Sequence, residues 1–160
     1  MNAPSSTAAP AQADQQWLSF HMGAQRYAAP LAAVSEVIRV GEITPVPGSA
    51  ADVLGVRHLR GRIVPVLDGC RRMGLTPPQV DPASARIIML VHAGQPIGLR
   101  VDAVGELLCT DGIEIEPPPP GRASRSDDPV TGVLSWQGGF VALLDVCKLC
   151  RLSGEGAHVA

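Results

Sequence analysis

The sequence predicts an all-β fold made from two copies of one β unit, with short helices that include one at the C-terminus. Three observations predict it. Short apolar runs rich in Val and Ile are bounded by glycines, which is typical of strands joined in hairpins. Residues 53–68 recur without a gap as residues 130–145. The segments that precede these two runs also resemble each other.

The repeat centres on a hairpin that keeps a constant offset of 77 residues. Three pairs of residues show it: Gly55 and Gly132, Gly61 and Gly138, Asp68 and Asp145. An ungapped match that holds glycines, an aspartate and a cysteine in phase favours duplication over chance similarity between two apolar hairpins. We expect the four glycines to set the hairpin and turn geometry.

Upstream of the hairpins the two halves match with a small gap. Residues 33–37 resemble residues 103–107, with Val34 and Glu36 recurring as Val104 and Glu106. Residues 18–20, followed by Gly23, resemble residues 89–91, followed by Gly94. The repeated unit therefore extends beyond its central hairpin.

In the first copy, residues 17–20 and 26–29 are predicted as two strands joined by a turn at Gly23. Residues 31–37 have the spacing of a short helical turn, and a strand is predicted at 37–40. A loop with two prolines covers 41–51. The hairpin then has strands at 53–59 and at 63–67, the latter predicted to be buried, and a short helix at 68–73 stopped by Gly74.

In the second copy, strands are predicted at residues 87–92 and 97–108. A proline-rich, charged loop runs from 117 to 129. The second hairpin follows, and residues 145–152 are predicted as a short helix. Residues 1–16 are expected to form a disordered leader and residues 153–160 a disordered tail.

Composition excludes several classes of function. The net charge of −2 and an aromatic content of 3% argue against nucleic-acid binding, including binding by a small oligonucleotide barrel. No apolar run is long enough to span a bilayer. The leader lacks the features of a signal peptide, so we expect a cytoplasmic protein with four reduced cysteines.

A catalytic site is not predicted. Asp68 and Asp145 are matched carboxylates, but each closes a strand where a helix begins, which favours helix capping over catalysis. The histidines lack the spacing of a metal site, and no metal or cofactor is expected. Cys147 and Cys150 form a C-x-x-C sequence. Without a βαβ pattern around it, buried thiols are favoured over a thiol-redox pair.

Positions where the two copies differ are candidates for function. In the first hairpin Arg57, Arg60 and Arg62 surround the turn, and their counterparts are uncharged. Arg60 is well placed to bind a partner's carboxylate through its planar guanidinium. From the residues alone, a partner-contact ridge and a solubility feature are equally good explanations.

Together these motifs resemble the CheW family of chemotaxis coupling proteins. The resemblance spans about residues 17–152 and rests on several motifs in one order: Val34-Ser-Glu36-Val37, Pro45-Val-Pro47, Leu59-Arg60-Gly61, Val64-Pro-Val-Leu-Asp68 and Leu143-Leu-Asp145. The chain departs from the usual pattern at His58, where the family has Asn, and at Gly69-Cys70.

The resemblance implies two intertwined five-stranded barrels of SH3-like type within a single domain, residues 17–152, whose two lobes cover about 17–75 and 86–152. It also implies a non-enzymatic adaptor that binds the regulatory domain of a CheA-type histidine kinase and the cytoplasmic tip of a methyl-accepting chemoreceptor. Val34, Glu36 and Arg60 match the family's receptor-contact positions. A pilus-linked or other non-flagellar signalling array remains the alternative, and a thiol-redox protein a more remote one.

Overall fold

The computed structural model describes residues 16–76, 81–118 and 128–151. The predicted leader before residue 16, the tail from 153 and most of the charged loop lie outside these ranges. Ten strands and two short α-helices form the fold. The strands are β1 (Gln16–Met22), β2 (Gln25–Pro30), β3 (Val34–Arg39), β4 (Val53–Leu59), β5 (Arg62–Asp68), β6 (Arg86–His92), β7 (Gln95–Val101), β8 (Ala103–Cys109), β9 (Val130–Trp136) and β10 (Gly139–Leu144); the helices are α1 (Gly69–Met73) and α2 (Val146–Leu149).

The strands form two five-stranded sheets that exchange segments between the copies. Sheet A has the order β8-β1-β2-β10-β9, and sheet B the order β3-β6-β7-β5-β4. Each sheet therefore combines the first two strands of one copy with the last three strands of the other. Parallel pairing of β10 with β2 and of β5 with β7 joins the exchanged parts. The predicted pair of intertwined barrels is confirmed.

The register of the sheets refines the alignment of the two copies. Val34 lies opposite Leu90 in sheet B, and Val104 lies opposite Phe20 in sheet A. Phe20 and Leu90 are therefore equivalent, an offset of 70 residues, whereas the sequence comparison paired residues 18–20 with 89–91. That one-residue error arose because the glycines of the two tight turns, Gly23 and Gly94, occupy different turn positions.

Three hydrophobic clusters fill the structure. One lies in the interior of the barrel formed by sheet A, around Leu134, Val141 and Leu143. Another lies in the interior of the barrel formed by sheet B, around Val64, Val66 and Ile87. The third and largest cluster takes residues from both sheets, including the fully buried Phe20 and Leu99. Because this shared core needs side chains of both copies, the two barrels are packed as one hydrophobic unit.

Loops close both barrels in the same way. After β3, Thr44 forms a β-bridge with Val56, and after β8, Glu116 forms the equivalent bridge with Val133. In the first bridge Thr44 and Val56 exchange two backbone hydrogen bonds of 2.8 Å. We name residues 41–51, which carry the first bridge, the β3–β4 loop.

Four predicted details differ from the structure. Ile63, predicted to be buried, is 63% exposed, because it lies near the turn of the hairpin, opposite the exposed His58, and faces away from the interior of sheet B. Strand β3 begins at Val34, after a 3-10 turn of three residues, rather than at 37. The predicted strand 97–108 is two strands separated at Asp102.

The fourth difference concerns α2, which ends at Leu149 instead of continuing to 152. The side chain of Arg72 donates hydrogen bonds to the backbone carbonyls of Lys148, at 2.6 Å, and Leu149, at 2.9 Å. These carbonyls would accept the next bonds of a longer helix, so Arg72 takes the place of another helical turn. Within the described ranges, neither helix has the length and apolar character needed to cross a membrane.

Candidate partner-binding surface

Arg60 lies in the tight turn between β4 and β5. Its φ of +52° and the φ of +78° at Gly61 place both turn residues in the left-handed region, as a two-residue hairpin of type I′ requires. The equivalent turn has Gln137 and Gly138 with φ values of +50° and +78°. Both copies therefore use a non-glycine residue at a position that costs conformational energy.

The side chain of Arg60 pairs with Glu36 on β3. Nη2 of Arg60 donates to Oε1 of Glu36 at 2.6 Å, and Nη1 donates to Oε2, so the contact is bidentate. The hydrogen bonds from Arg60 lower the pKa of the Glu36 carboxyl, and the pair raises the pKa of Arg60 in turn. Both groups are therefore charged at neutral pH, and the fork of Arg60 is held in one orientation.

Val34 lies two residues before Glu36 on β3, and the pairing of β3 with β6 shifts register between them: Val34 lies opposite Leu90, and Glu36 lies opposite Met89. Val34 is half-buried and packs against the shared core. The structure joins Glu36, on one edge strand of sheet B, to Arg60, in the turn at the other edge, and it places Val34 on the same edge strand as Glu36. Arg60 is the more exposed member of the ion pair, with 70% of its side chain accessible against 27% for Glu36.

The other copy has a weaker version of this arrangement. Nε2 of Gln137 donates to Oε2 of Glu106 at 3.4 Å, at the position equivalent to the Arg60–Glu36 pair. The contact carries one charge instead of two and a single long hydrogen bond instead of two short ones. The duplicated fold therefore presents a strong ion pair on sheet B and only a weak polar contact on sheet A.

The three arginines of the predicted partner-contact ridge differ in exposure and in partners. Arg62 is exposed, whereas Arg57 is half-buried, and Nη1 of Arg57 is shielded from solvent with no hydrogen-bond acceptor in the described part of the chain. Of the three, only Arg60 has a carboxylate partner among the described residues. Arg57 and Arg62 lie on the same face of the hairpin, but Arg62 pairs with Leu59 beside the turn, whereas Arg57 lies further from the turn, opposite the buried Val64.

The remaining singled-out residues have structural positions. Asp68 accepts a hydrogen bond from the backbone N–H of Cys70 at 3.0 Å, and Asp145 accepts one from that of Lys148 at 3.2 Å, at the starts of α1 and α2. Gly55 and Gly132 lie against the loops that close the barrels. In the described ranges no group of three metal-ligating side chains comes together.

Two of the four cysteines have the burial expected of structural thiols. Cys70 and Cys150 are buried, while Cys109 and Cys147 are exposed, and none is in a disulfide. Burial, followed by the charge of Asp102, raises the pKa of the Cys70 thiol to about 11. A redox-active thiol needs the opposite shift. In the C-x-x-C pair, Cys150 is buried as predicted, but the prediction of a buried thiol is wrong for Cys147, which lies on the outer face of α2 while Val146 and Leu149 face inward. The thiol-redox interpretation is not supported.

We therefore expect two classes of thiol reactivity. With an aromatic disulfide reagent at pH 8, two thiols of the native protein, Cys109 and Cys147, should react quickly. Cys70 and Cys150 should react only as fast as the protein unfolds, because the reagent cannot reach buried sulfur. All four should react at one rate in denaturant. Four fast thiols in the native protein would contradict the burial of these side chains.

Sequence reasoning missed an apolar groove on sheet A. It has a volume of about 970 Å³ and is lined by β2, β10 and the loop that carries Glu116. Phe140, 69% exposed, lies in it, and its equivalent in the other copy is the exposed Ile63. The only signal in the sequence was that both copies place a large apolar residue two positions after the turn glycine.

Comparison with known proteins gives consistent relatives. The CheW-like domain family matches residues 16–153. "Chemotaxis protein CheW" of Rhizobium meliloti is 29% identical over 133 residues, which cover 82% of this chain and 84% of that protein. "Protein FrzA" of Myxococcus xanthus is 30% identical and covers 94% of both chains. The crystal structure of scaffolding protein TtCheW from Thermoanaerobacter tengcongensis superposes with a TM-score of 0.77 at 29% identity, covering 88% of this chain and 95% of the other.

Proposed function

Because this chain belongs to the CheW-like domain family, we propose that it is a chemosensory adaptor that couples the cytoplasmic tips of chemoreceptors to a CheA-type histidine kinase. Residues 17–152 act as one binding domain. The proposed role needs contact surfaces and no catalytic group. The similarity to proteins named for chemotaxis, over more than four-fifths of the chain, supports the process, and the surface geometry supports the mode of action.

We assign the receptor-binding surface on the basis of the Arg60–Glu36 ion pair. It is bidentate, solvent-accessible and present on one barrel only, while the equivalent contact on the other barrel is a single long hydrogen bond. An exposed ion pair of this kind contributes little to folding. Glu36 holds the guanidinium of Arg60 in one orientation, so its remaining N–H donors suit a receptor surface that offers hydrogen-bond acceptors, with Val34 on the same edge strand as Glu36 as an apolar contact.

Signalling through such an adaptor follows from differential binding. If the receptor tip has two conformations, the adaptor transmits the change to the kinase only when its contact free energies differ between them. The shared hydrophobic core joins the two barrels, so a partner on one barrel is held in a defined orientation to a partner on the other. A change in the conformation of the bound receptor tip thereby changes the position in which the adaptor holds the kinase.

A second candidate is a scaffold in a pilus-linked or other non-flagellar signalling array. It is kept because Protein FrzA, a relative that does not carry the CheW name, matches 94% of the chain. Both candidates use the same surfaces and differ in which receptors and kinase are the cognate ones.

Isothermal titration calorimetry tests the proposal. The chain is titrated separately with the regulatory domain of the cognate CheA-type kinase and with a fragment of the receptor's cytoplasmic tip. We expect saturable binding to each. Binding to neither, with the chain still folded by circular dichroism, would reject the adaptor role. Binding only to the partners of a pilus-linked array would select the second candidate.

A further inference from the structure

Arg57 occupies a position that the other copy fills with a core leucine. Its Cα lies opposite Val64 in sheet B, as that of Leu134 lies opposite Val141 in sheet A. Leu134 is 1% exposed and belongs to the interior cluster of its barrel. We call the barrels formed by sheets A and B barrel A and barrel B. Barrel B therefore has a guanidinium where barrel A has a buried aliphatic side chain.

The guanidinium of Arg57 is wedged beneath the β3–β4 loop. A methyl group built on Gly41 would lie 2.7 Å from Nη2 and 2.9 Å from Nε of Arg57, so the loop lies directly against the guanidinium at Gly41. Nη1 is shielded from solvent and has no acceptor among the described residues. A buried donor without an acceptor is unfavourable, so any group that supplies one is bound with a gain in free energy.

Arg62 adds a second charge to the same face of the hairpin. Arg62 pairs with Leu59, the next residue after Arg57 on that face. Arg57 and Arg62 are thus diagonal neighbours, whose Cα atoms are roughly 7–8 Å apart in such a pair. Neither forms an ion pair within the described ranges, whereas Arg60 is neutralised by Glu36.

We infer that Arg57 and Arg62 form a second binding site, separate from the Arg60–Glu36 pair, that takes the carboxylates of an acidic segment of a partner protein. Guanidinium forks bind carboxylates through paired hydrogen bonds, and two forks on one hairpin face match side chains two residues apart in an extended acidic segment. The site lies on barrel B alone, because its counterparts are Leu134 and Gly139.

The β3–β4 loop is built to admit such a segment. Its residues from Gly41 to Ser49 are exposed except for Ile43, which packs against the hydrophobic cluster of sheet B, and a β-bridge between Thr44 and Val56 holds the loop to β4. A small outward shift of the loop uncovers Nη1 of Arg57 for the incoming carboxylate. In the free protein the loop covers the guanidinium without accepting a hydrogen bond from its Nη1. A carboxylate of the bound segment would accept that hydrogen bond.

The probe is a blocked tetraglutamate peptide, titrated at low salt and followed by NMR of the arginine Nε–Hε groups. Arg57→Leu and Arg62→Gly copy the residues of the other barrel, and Arg151→Gln removes an exposed charge elsewhere. We expect peptide binding with shifts at Arg57 and Arg62, and about a tenfold or greater loss of affinity in either site variant. Arg151→Gln should stay within about twofold.

Several outcomes overturn the inference. If Arg151→Gln lost as much peptide affinity as the site variants do, the net charge of the chain would explain the binding. Unchanged binding in Arg57→Leu and Arg62→Gly would place the peptide elsewhere. Inorganic phosphate binding as tightly as the peptide would make this a general anion site, and tetraglutamine binding equally well would remove the role of charge. Because no receptor or kinase is present, these results are independent of the proposed adaptor function. Thermal unfolding of each variant shows that the fold is retained.

Discussion

Replacing Gly55 with alanine is expected to destabilise the protein far more than replacing its equivalent, Gly132. Gly55 has a φ of +153°, and a Cβ there would lie 2.2 Å from the backbone oxygen of Thr44 and 2.9 Å from Cα of Pro45. The clash is with backbone, so it can be relieved only by opening the bridge that closes barrel B. We expect a loss of about 3–5 kcal/mol in the free energy of unfolding, measured by urea denaturation.

Gly132→Ala is the matched control. A Cβ at Gly132 would meet Cγ2 of Ile115 at 2.6 Å, and the nearest backbone atom, the oxygen of Glu116, is 3.2 Å away. The exposed Ile115 side chain can rotate away, so the loss should be only about 1–2 kcal/mol. Equal losses for the two variants would contradict the closer approach of the loop backbone to Gly55 than to Gly132.

Arg60→Ala is expected to leave the fold intact and to weaken binding of the receptor fragment by roughly 30-fold, as truncation of an interface hot spot does. Arginine and alanine meet similar strain at a φ of +52°, and an exposed ion pair adds little to folding. Kinase-domain affinity should change by no more than about twofold. Calorimetry of both complexes, with thermal unfolding of the variant, measures all three quantities.

Two variants separate the effect of the ion pair from that of the turn. Gln137→Ala truncates the equivalent turn residue of the other barrel and should leave receptor binding unchanged. Arg60→Gln reproduces the weak contact seen between Gln137 and Glu106 and should bind the receptor poorly. Full receptor affinity in Arg60→Gln would show that the fork of Arg60 is not used, and unfolding of Arg60→Ala would make the residue structural.

The sequence predicted the elements that are determined locally. The hairpin of β4 and β5 was placed at residues 53–59 and 63–67 because its glycine turn and its Val and Ile residues act over short range. The same physical reasons hold at its repeat. Asp68 could be assigned to the start of a helix because a carboxylate between a strand and a helix has N–H groups within reach.

Features that depend on distant contacts could not be predicted from the residues. Exchange of strands between the copies leaves every local pattern unchanged, so the duplication alone did not reveal it. The exposure of Ile63 depends on which neighbouring strands and loops cover that face of the hairpin. The pairing of Glu36 with Arg60 joins strands 24 residues apart in sequence, and the wedging of Arg57 beneath Gly41 depends on the path of a loop.

The proposed adaptor function requires that this chain bind a receptor tip and a kinase at the same time. Sedimentation velocity of the chain mixed with the kinase regulatory domain and the receptor fragment tests this simultaneous binding. We expect one species that contains all three components, and loss of only the receptor fragment from that species when Arg60→Ala replaces the native chain. Two separate binary complexes, with the receptor fragment displacing the kinase domain, would contradict it.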